Sequence, residues 1–430
     1  MDHDFSIYRA RREQLIERLR EQQEDSAGSV LLCANFETDG KRFRQESSFY
    51  YLTGLHEPGA ALWIALSGQT TLFIPNYGGA RRQWTNNSID ASDEYAERLM
   101  VDEVVYLGQQ PAGYQVHLFS PKEVYEKLLE RFMQSVDGGE TIFTLCPDNP
   151  REYVMQRCLL QRFASFVPGL MDACDDISPL VAEMRRCKSK DELALIYRAT
   201  EATVLAHQAA AQAIGDGMTE CEVQAHLEFI MTGSCMQPAF ASVVASGHNS
   251  TVLHYDDNSG TMRDGQLVVV DVGAEFMHYC GDITRTYPVS GSFSDRQKEV
   301  YEVVLQAQEH IASLAAPGMW LNNSDEPDRS LNHRAKSFMA EQGYADYFAH
   351  GIGHYLGLDV HDVGDYQRPL QEGDVITIEP GIYIPEEEVG IRIEDDYWIV
   401  QDGVVCLTEQ LPKQCEEIEA MVQQTLDDAD

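Results

Sequence analysis

The chain has 430 residues, 43% of them hydrophobic and 24% charged, and because one hydrophobic core stops growing at about 250–300 residues, two domains are expected. Its 70 acidic residues against 32 basic ones give a net charge of −38, a field that repels phosphate backbones and anionic lipid and so excludes nucleic acid and membrane surfaces as partners. No apolar run nears the roughly 20 residues that span a bilayer, and the opening MDHDF lacks the basic and apolar regions of a secretory signal.

Residues 1–170 read as alternating helix and strand. A charged helical pattern at about 7–24 leads into the apolar run VLLC (30–33). The runs AALWIAL (60–66) and TTLFI (70–74), joined by Ser67, Gly68 and Gln69, predict a β-hairpin. Helical stretches near 121–135 and 150–163 flank a short strand, TIFTL (141–145). Together these predict an N-terminal α/β domain over 1–175. A second domain, 176–430, is predicted to open at Ser178 and Pro179, which suit a helix N-cap and first turn. Next, SKDE (189–192) is a capping-box pattern, opening an alanine-rich helix that stops at Gly215 and Gly217. A further amphipathic helix begins at SDRQ (294–297), with Val300, Val303, Val304, Ala307 and Ile311 on one face. The acidic tail 427–430 is expected to fray. The ten cysteines are scattered without a CxxC pair, which argues against a zinc ribbon or a disulfide scaffold and suits reduced thiols in a cytoplasm.

The second domain contains an echo of itself. Residues 263–273 read RDGQLVVVDVG and residues 371–381 read QEGDVITIEPG. Aligned on Gly265 and Gly373, each is a tight turn, an apolar strand, an acid, a spacer and a glycine. Asp271 and Glu379 thereby take equivalent places, as if two half-domains each deliver a carboxylate from the end of a buried strand.

A carboxylate ending a strand buried on both faces is costly unless it is paired or bound to a metal. Two more acids share the anomaly: Asp282 in YCGDITRT (279–286) and Glu394 in GIRIEDD (390–396). The period of two puts Arg392 and Glu394 on one strand face and Ile391 and Ile393 on the other. One such acid reads most simply as a helix cap or half of a salt bridge, but in these segments carboxylates outnumber basic partners. Four carboxylates balance two divalent cations, and oxygen-rich ligation with one imidazole suits Mn2+ or a similar ion better than a structural zinc. The imidazole is sought in HGIGHYLGLDVHDVG (350–364), on flexible, glycine-rich backbone. His350 and His354 have the spacing of the HExxH zinc motif, yet Gly351 stands where that motif has its glutamate. The glycines also disfavour a helix, so a loop presenting His354 as a lone nitrogen ligand is expected.

The order Asp271, Asp282, His354, Glu379, Glu394 resembles the five-ligand set of the pita-bread metallopeptidases, a family that includes methionine aminopeptidase, aminopeptidase P and prolidase. The phrases VVVDVGAEF, YCGDITRTYPV, HGIGHYLGLDVHDVG, TIEPGIYI and GIRIEDD carry the likeness and span most of 240–410. The resemblance implies an α/β (α+β) chain in which an N-terminal α/β domain precedes a pseudo-two-fold pita-bread catalytic domain holding two divalent metal ions. It implies that Asp271 binds one metal only and that Asp282 and Glu394 bridge both. His354 and Glu379 would bind the second metal, Glu379 also handling the proton of the attacking water. It further implies that His254, in VLHYDD, contacts substrate and that His361 steadies the tetrahedral intermediate. His350 would wall a proline pocket, and Arg392 would lie in the substrate site. The segment FRQESSFYYLTGLHEPGAAL (43–62) is similar to the N-terminal domains of aminopeptidase P and, less closely, of prolidase; methionine aminopeptidase generally lacks such a domain. The expected activity is removal of an N-terminal residue from peptides with proline in second position, by a cytoplasmic manganese enzyme that forms a homodimer or homotetramer. An Xaa-Pro dipeptidase remains the alternative. The complete ligand set counts against a peptide-binding module and against metal-free creatinase-like chemistry.

Overall fold

The computed structural model describes residues 4–22, 27–38, 40–79, 81–84 and 89–426, so the acidic tail at 427–430 lies outside the described residues. The chain divides into two compact units, 1–184 and 185–430, and each mixes helix with sheet.

The first unit is built on β1 (Gly28–Cys33), β2 (Ala61–Ala65), β3 (Thr70–Ile74), β4 (Glu103–Tyr106), β5 (Thr141–Thr144) and β6 (Cys174–Asp176). They form one mixed sheet in the order β4-β3-β2-β1-β5-β6. The predicted hairpin is β2 and β3, antiparallel with Ile64 opposite Thr70, and Gly68 takes the left-handed turn conformation at φ 104°. Helices α1 (Ser6–Gln22), α2 (Ser47–Thr53), α3 (Asp93–Leu99), α4 (Glu126–Gly138), α5 (Val154–Ala164) and α6 (Leu170–Ala173) complete it. Leu31, Trp63, Phe132, Ile142, Leu160 and Phe163 meet in its core. Strand β6 pairs in parallel with β5, Ile142 opposite Cys174. A boundary at 175/176 therefore cuts through the sixth strand of this sheet. Division into compact units instead falls near the end of α7 (Ser178–Arg186).

The second unit begins with α8 (Lys190–Ala213) and α9 (Glu220–Gly233), each opened by a capping box: Ser189 with Glu192, Thr219 with Glu222. Then come β7 (Gln237–Pro238), β8 (Val243–Ser246), β9 (Leu267–Val272), β10 (Ala274–Phe276), β11 (Tyr279–Cys280) and β12 (Ile283–Pro288). Two helices follow, α10 (Asp295–Leu314) and α11 (Leu331–Glu341). On α10 the predicted face is inside: Val300, Val304, Ala307 and Ile311 are buried and Val303 is half-buried. The last stretch holds β13 (Val375–Ile378), β14 (Gly381–Ile384), β15 (Val389–Arg392), β16 (Asp395–Val400), β17 (Gly403–Cys406) and α12 (Cys415–Leu426).

The internal echo is structural. Gly265 and Gly373 adopt positive φ, 82° and 96°, and turn the chain into β9 and β13. Each of these strands lies antiparallel to one that carries or adjoins other acids, β9 against β12 and β13 against β16. Val268, Val270, Ile376, Ile378, Ile391 and Ile393 are fully buried in one core, each such side chain contributing about 1.5–3 kcal/mol by leaving water. The acids sit at the edge of that apolar layer.

Candidate metal centre

Strand pairing brings the acids together. Asp271 on β9 stands opposite Thr284 on β12, and Glu394, just past β15, bridges to Thr284 as well. The buried Thr284 hydroxyl donates to Glu394 Oε2 at 2.7 Å and accepts from Arg392 Nε at 3.1 Å. Arg392 and Glu394 thus share one side, as their spacing predicted. Asp282 immediately precedes β12, and its backbone N–H donates to Asp396 Oδ2 at 3.1 Å. Glu379 immediately follows β13, with its N–H on the Ile352 carbonyl at 2.8 Å.

The histidine-rich segment is a loop, as expected, but it is laced onto β13 and not slack. Thr377 donates its N–H to the His354 carbonyl at 2.9 Å, and Thr377 Oγ1 accepts the His354 N–H at 3.2 Å. None of Gly351, Gly353, Gly357 and Gly364 has positive φ. Their value lies in close approach: a Cβ at Gly353 would stand 2.0 Å from the Thr377 carbonyl oxygen, and one at Gly364 would stand 1.9 Å from the Tyr355 ring.

Asp282, His354 and Glu394 converge, with ligand atoms all within 4.8 Å of one another. His354 Nε2 lies 3.4 Å from Asp282 Oδ2, 3.8 Å from Glu379 Oε1 and 3.9 Å from Glu394 Oε1. Its Nδ1 lies 3.1 Å from the Tyr355 carbonyl. A carbonyl only accepts, so Nδ1 carries the hydrogen and Nε2 turns its lone pair toward the carboxylates, the tautomer a metal ligand needs. Asp271 is held through Oδ2 by Arg392 Nη2 at 2.6 Å. Asp271 Oδ1, Asp282 Oδ1 and Glu394 Oε1 are buried without a hydrogen-bond partner. Stranding a buried acceptor costs about 1–3 kcal/mol, more when it is charged. A divalent cation satisfies such oxygens, and a donor set of carboxylates with one imidazole fits it.

One pocket of about 510 Å³ is lined by His254, Asp271, Asp282, His350, His354, His361, Glu379, Arg392 and Glu394, together with Phe240, Leu253, Asp256, Val360 and Tyr366. All the residues singled out in the sequence therefore face one space. Burial and then repulsion from Glu394 push the Asp282 and Glu379 carboxyls well above the usual range. Burial and then Asp271 push Glu394 up to about 7. His350 is depressed to about 4 by burial and then Arg392, and His361 to about 4 by burial and then His354, so both rings are neutral at neutral pH. His361 stacks on His354, ring centroids 4.0 Å apart.

Three partners escaped the sequence reading. Tyr383 OH accepts from Arg392 Nη1 at 2.9 Å and meets His350 Nε2 at 2.9 Å, while His350 Nδ1 lies 2.8 Å from the Gly351 carbonyl. Asp396 anchors Asp282, and Thr284 joins Arg392 to Glu394. A signal for Asp396 was present: consecutive acids on a strand point to opposite faces. Asp395 faces Arg285 at 2.7 Å and Lys413 at 3.0 Å, which leaves Asp396 for the other side.

Residues 194–401 match metallopeptidase family M24, and residues 8–125 match the aminopeptidase P N-terminal domain. The first match runs across every pocket residue named above. The chain is similar to the Xaa-Pro aminopeptidase of Haemophilus influenzae, 33% identical over 407 residues and 88% of each chain. It is also similar to the Xaa-Pro dipeptidase of Pyrococcus furiosus, 40% identical over 238 residues, 54% of this chain and 66% of that one. Among solved structures, aminopeptidase P from Escherichia coli with the inhibitor Pro-Leu matches over 99% of this chain and 100% of that one, with 28% identity and a TM-score of 0.83. A relative one-third identical along most of both chains, and a family match that encloses the whole carboxylate–histidine cluster, place this chain in metallopeptidase family M24.

Proposed function

We propose that the protein is an Xaa-Pro aminopeptidase, hydrolysing the bond between an N-terminal residue and a following proline. It uses two divalent ions, manganese in the cell, held by Asp271, Asp282, His354, Glu379 and Glu394. The observation that carries this is the convergence of bare, buried carboxylate oxygens on an imidazole lone pair inside one pocket. Ions bound there supply Lewis acidity toward a carbonyl oxygen and lower the pKa of water.

The chain's own groups do the rest. Glu379, which follows β13 and lines the pocket, takes a proton from the attacking water and returns it to the leaving nitrogen. His254 and His361 donate to the developing oxyanion, a stabilisation worth about 2.7–4 kcal/mol per donor. His350 has both ring nitrogens engaged, one by the Gly351 carbonyl and one by Tyr383 OH. Only its ring remains for contact, which suits an apolar proline ring whose nitrogen has no hydrogen to satisfy.

Charge favours the aminopeptidase over the dipeptidase. Among the described residues that line the pocket, Arg392 is the one lysine or arginine, and it is committed to Asp271, Tyr383 and Thr284. An Xaa-Pro dipeptide carries a free carboxylate directly after its proline, and the described lining offers it no uncommitted lysine or arginine to pair with. A longer peptide has an uncharged amide at that point. The ten cysteines, all free thiols, suit a cytoplasmic protein, and the family resemblance supports a homodimer or homotetramer.

The test compares release of the first residue from an Xaa-Pro dipeptide and an Xaa-Pro-Yaa tripeptide, with and without Mn2+. Mn2+-stimulated cleavage of the tripeptide is expected. Cleavage of the dipeptide alone assigns a dipeptidase, and a metal-free protein without stimulated hydrolysis assigns a binding module.

A further inference from the structure

His254 reaches the pocket on a long connection, residues 246–260, whose only regular element among the described residues is a single 3-10 turn at Gly247–Thr251. One carboxylate ties this connection together. Glu220, the first residue of α9, is fully buried. Its Oε1 accepts from the Ser246 N–H and Oγ, both at 2.7 Å, and from Asn249 Nδ2 at 3.0 Å. Its Oε2 accepts from Tyr255 OH at 2.7 Å and from the Gly260 N–H at 2.6 Å. Its own N–H donates to the Gly260 carbonyl at 2.9 Å. The donors come from the start, middle and end of the connection, and all are neutral groups. Tyr255 is the residue directly after His254.

The same face of α9 continues the clamp. Gln224 and Glu228 follow Glu220 at helical spacing. Gln224 Oε1 accepts from Asn258 Nδ2 at 3.0 Å, and Glu228 Oε1 accepts from Ser242 Oγ at 3.0 Å. Asn258, buried at a φ of 44°, accepts the Val244 N–H through Oδ1 at 2.8 Å. The row 220, 224, 228 thus grips β8 and both ends of the connection, while His254 and Asp256 project between the anchors into the pocket lining.

We propose that Glu220 is a positioning residue for the peptidase reaction, holding residues 246–260 so that His254 faces the substrate. The inference rests on the reading of His254 as a substrate contact. Neither ligand set nor pocket lining includes Glu220, and it acts only through the connection it holds.

The test is a double-mutant cycle on the Mn2+-loaded protein: Glu220→Gln, His254→Ala and the pair, with kcat, KM, bound manganese and Tm measured for each on an Xaa-Pro-Yaa tripeptide. An amide turns donors toward donors on one side of the site, so E220Q is expected to lower kcat/KM about tenfold or more with bound manganese unchanged. In the H254A background E220Q is expected to cause no further loss, because the side chain it positions is gone. Equal losses in both backgrounds, or wild-type kinetics for E220Q, overturn the proposal while leaving the reading of His254 intact. Wild-type kinetics for H254A overturn that reading and the proposal with it. If E220Q does not fold, Tyr255→Phe removes one donor of the five and carries the same cycle, with a loss in the wild-type background only as the supporting result and equal losses in both as the refuting one.

Discussion

Replacing Glu394 with Gln sets the stability of the fold against its use of metal. Glu394 is 2% exposed; Oε2 accepts from Thr284 Oγ1 at 2.7 Å, and Oε1 has no hydrogen-bond partner. Burial, then Asp271, raise its pKa from 4.5 to about 7. A folded-state value above the unfolded one means that the folded chain binds the extra proton. Glu394 therefore leaves the metal-free fold undisturbed below pH 4.5, destabilises it progressively as pH rises through that window, and does so fully above pH 7. At about 1.36 kcal/mol per pH unit, the full penalty is about 3 kcal/mol. Glutamine has no charge to bury. Its oxygen can keep the Thr284 hydrogen bond, and its N–H₂ can donate toward the neighbouring acids. In EDTA at pH 8, E394Q should exceed the wild type by about 2–3 kcal/mol, a rise in Tm of about 4–12 °C for a unit of this size. At pH 4.5 the two should coincide. With Mn2+ the order should invert, since the wild type gains a bound ion and the variant loses a ligand. Thermal unfolding followed by circular dichroism, in EDTA and in Mn2+ across this pH range, reads all of these. An E394Q protein less stable than the wild type in EDTA at pH 8 refutes the claim that the cluster is strained by its own charge.

Three further substitutions probe the same construction. Asp282→Ala should abolish turnover and lower bound manganese, because Asp282 Oδ2 lies 3.4 Å from His354 Nε2 and Oδ1 is bare; near-normal kcat would refute a bridging role. Gly353→Ala places a methyl group 2.0 Å from the Thr377 carbonyl oxygen and must lift the neighbouring His354 off β13. A loss of about 1–3 kcal/mol in stability is expected from the overpacking, with reduced manganese content by elemental analysis, and unchanged metal content would refute the lacing. Arg285→Ala strands Asp395, both being 0% exposed and 2.7 Å apart. Breaking a buried pair costs about 3–5 kcal/mol, here toward the lower end because Lys413 also reaches Asp395, and a change under about 1 kcal/mol in chemical denaturation would count against the pair.

Elements that announce themselves locally were legible. The capping boxes at Ser189 and Ser294 start α8 and α10 by satisfying their own first-turn N–H groups, with no help from distant chain. The hairpin of β2 and β3 is equally self-contained. Strand β6 was not legible: its sequence is only Cys174, Asp175 and Asp176, half-exposed and polar. It is a strand because β5 offers it backbone partners. Helix α9 went unread for a related reason, since its buried residues Val223, Leu227 and Met231 make a narrow stripe and its polar row is committed to a connection that lies far along the chain.

The site divides along the same line. Asp271, Asp282, Glu379 and Glu394 stood out because each breaks a local rule, putting a carboxylate where a buried apolar strand runs, and a broken rule demands a counter-ion. Asp396, a buried strand acid next to Asp395, breaks that rule too and was passed over, but Thr284, Tyr383 and Glu220 break none. Threonine and tyrosine belong in strands, and an acid in the first turn of a helix is where the macrodipole favours it, so Glu220 looks fully explained by α9 alone. Only the register of residues 246–260 against that helix shows five donors closing on one carboxylate. A ligand betrays itself by its misplaced polarity, whereas a residue that positions a ligand or a substrate contact is locally content. Its role exists only in the pairing of segments distant in sequence, and three-dimensional contact is where it has to be sought.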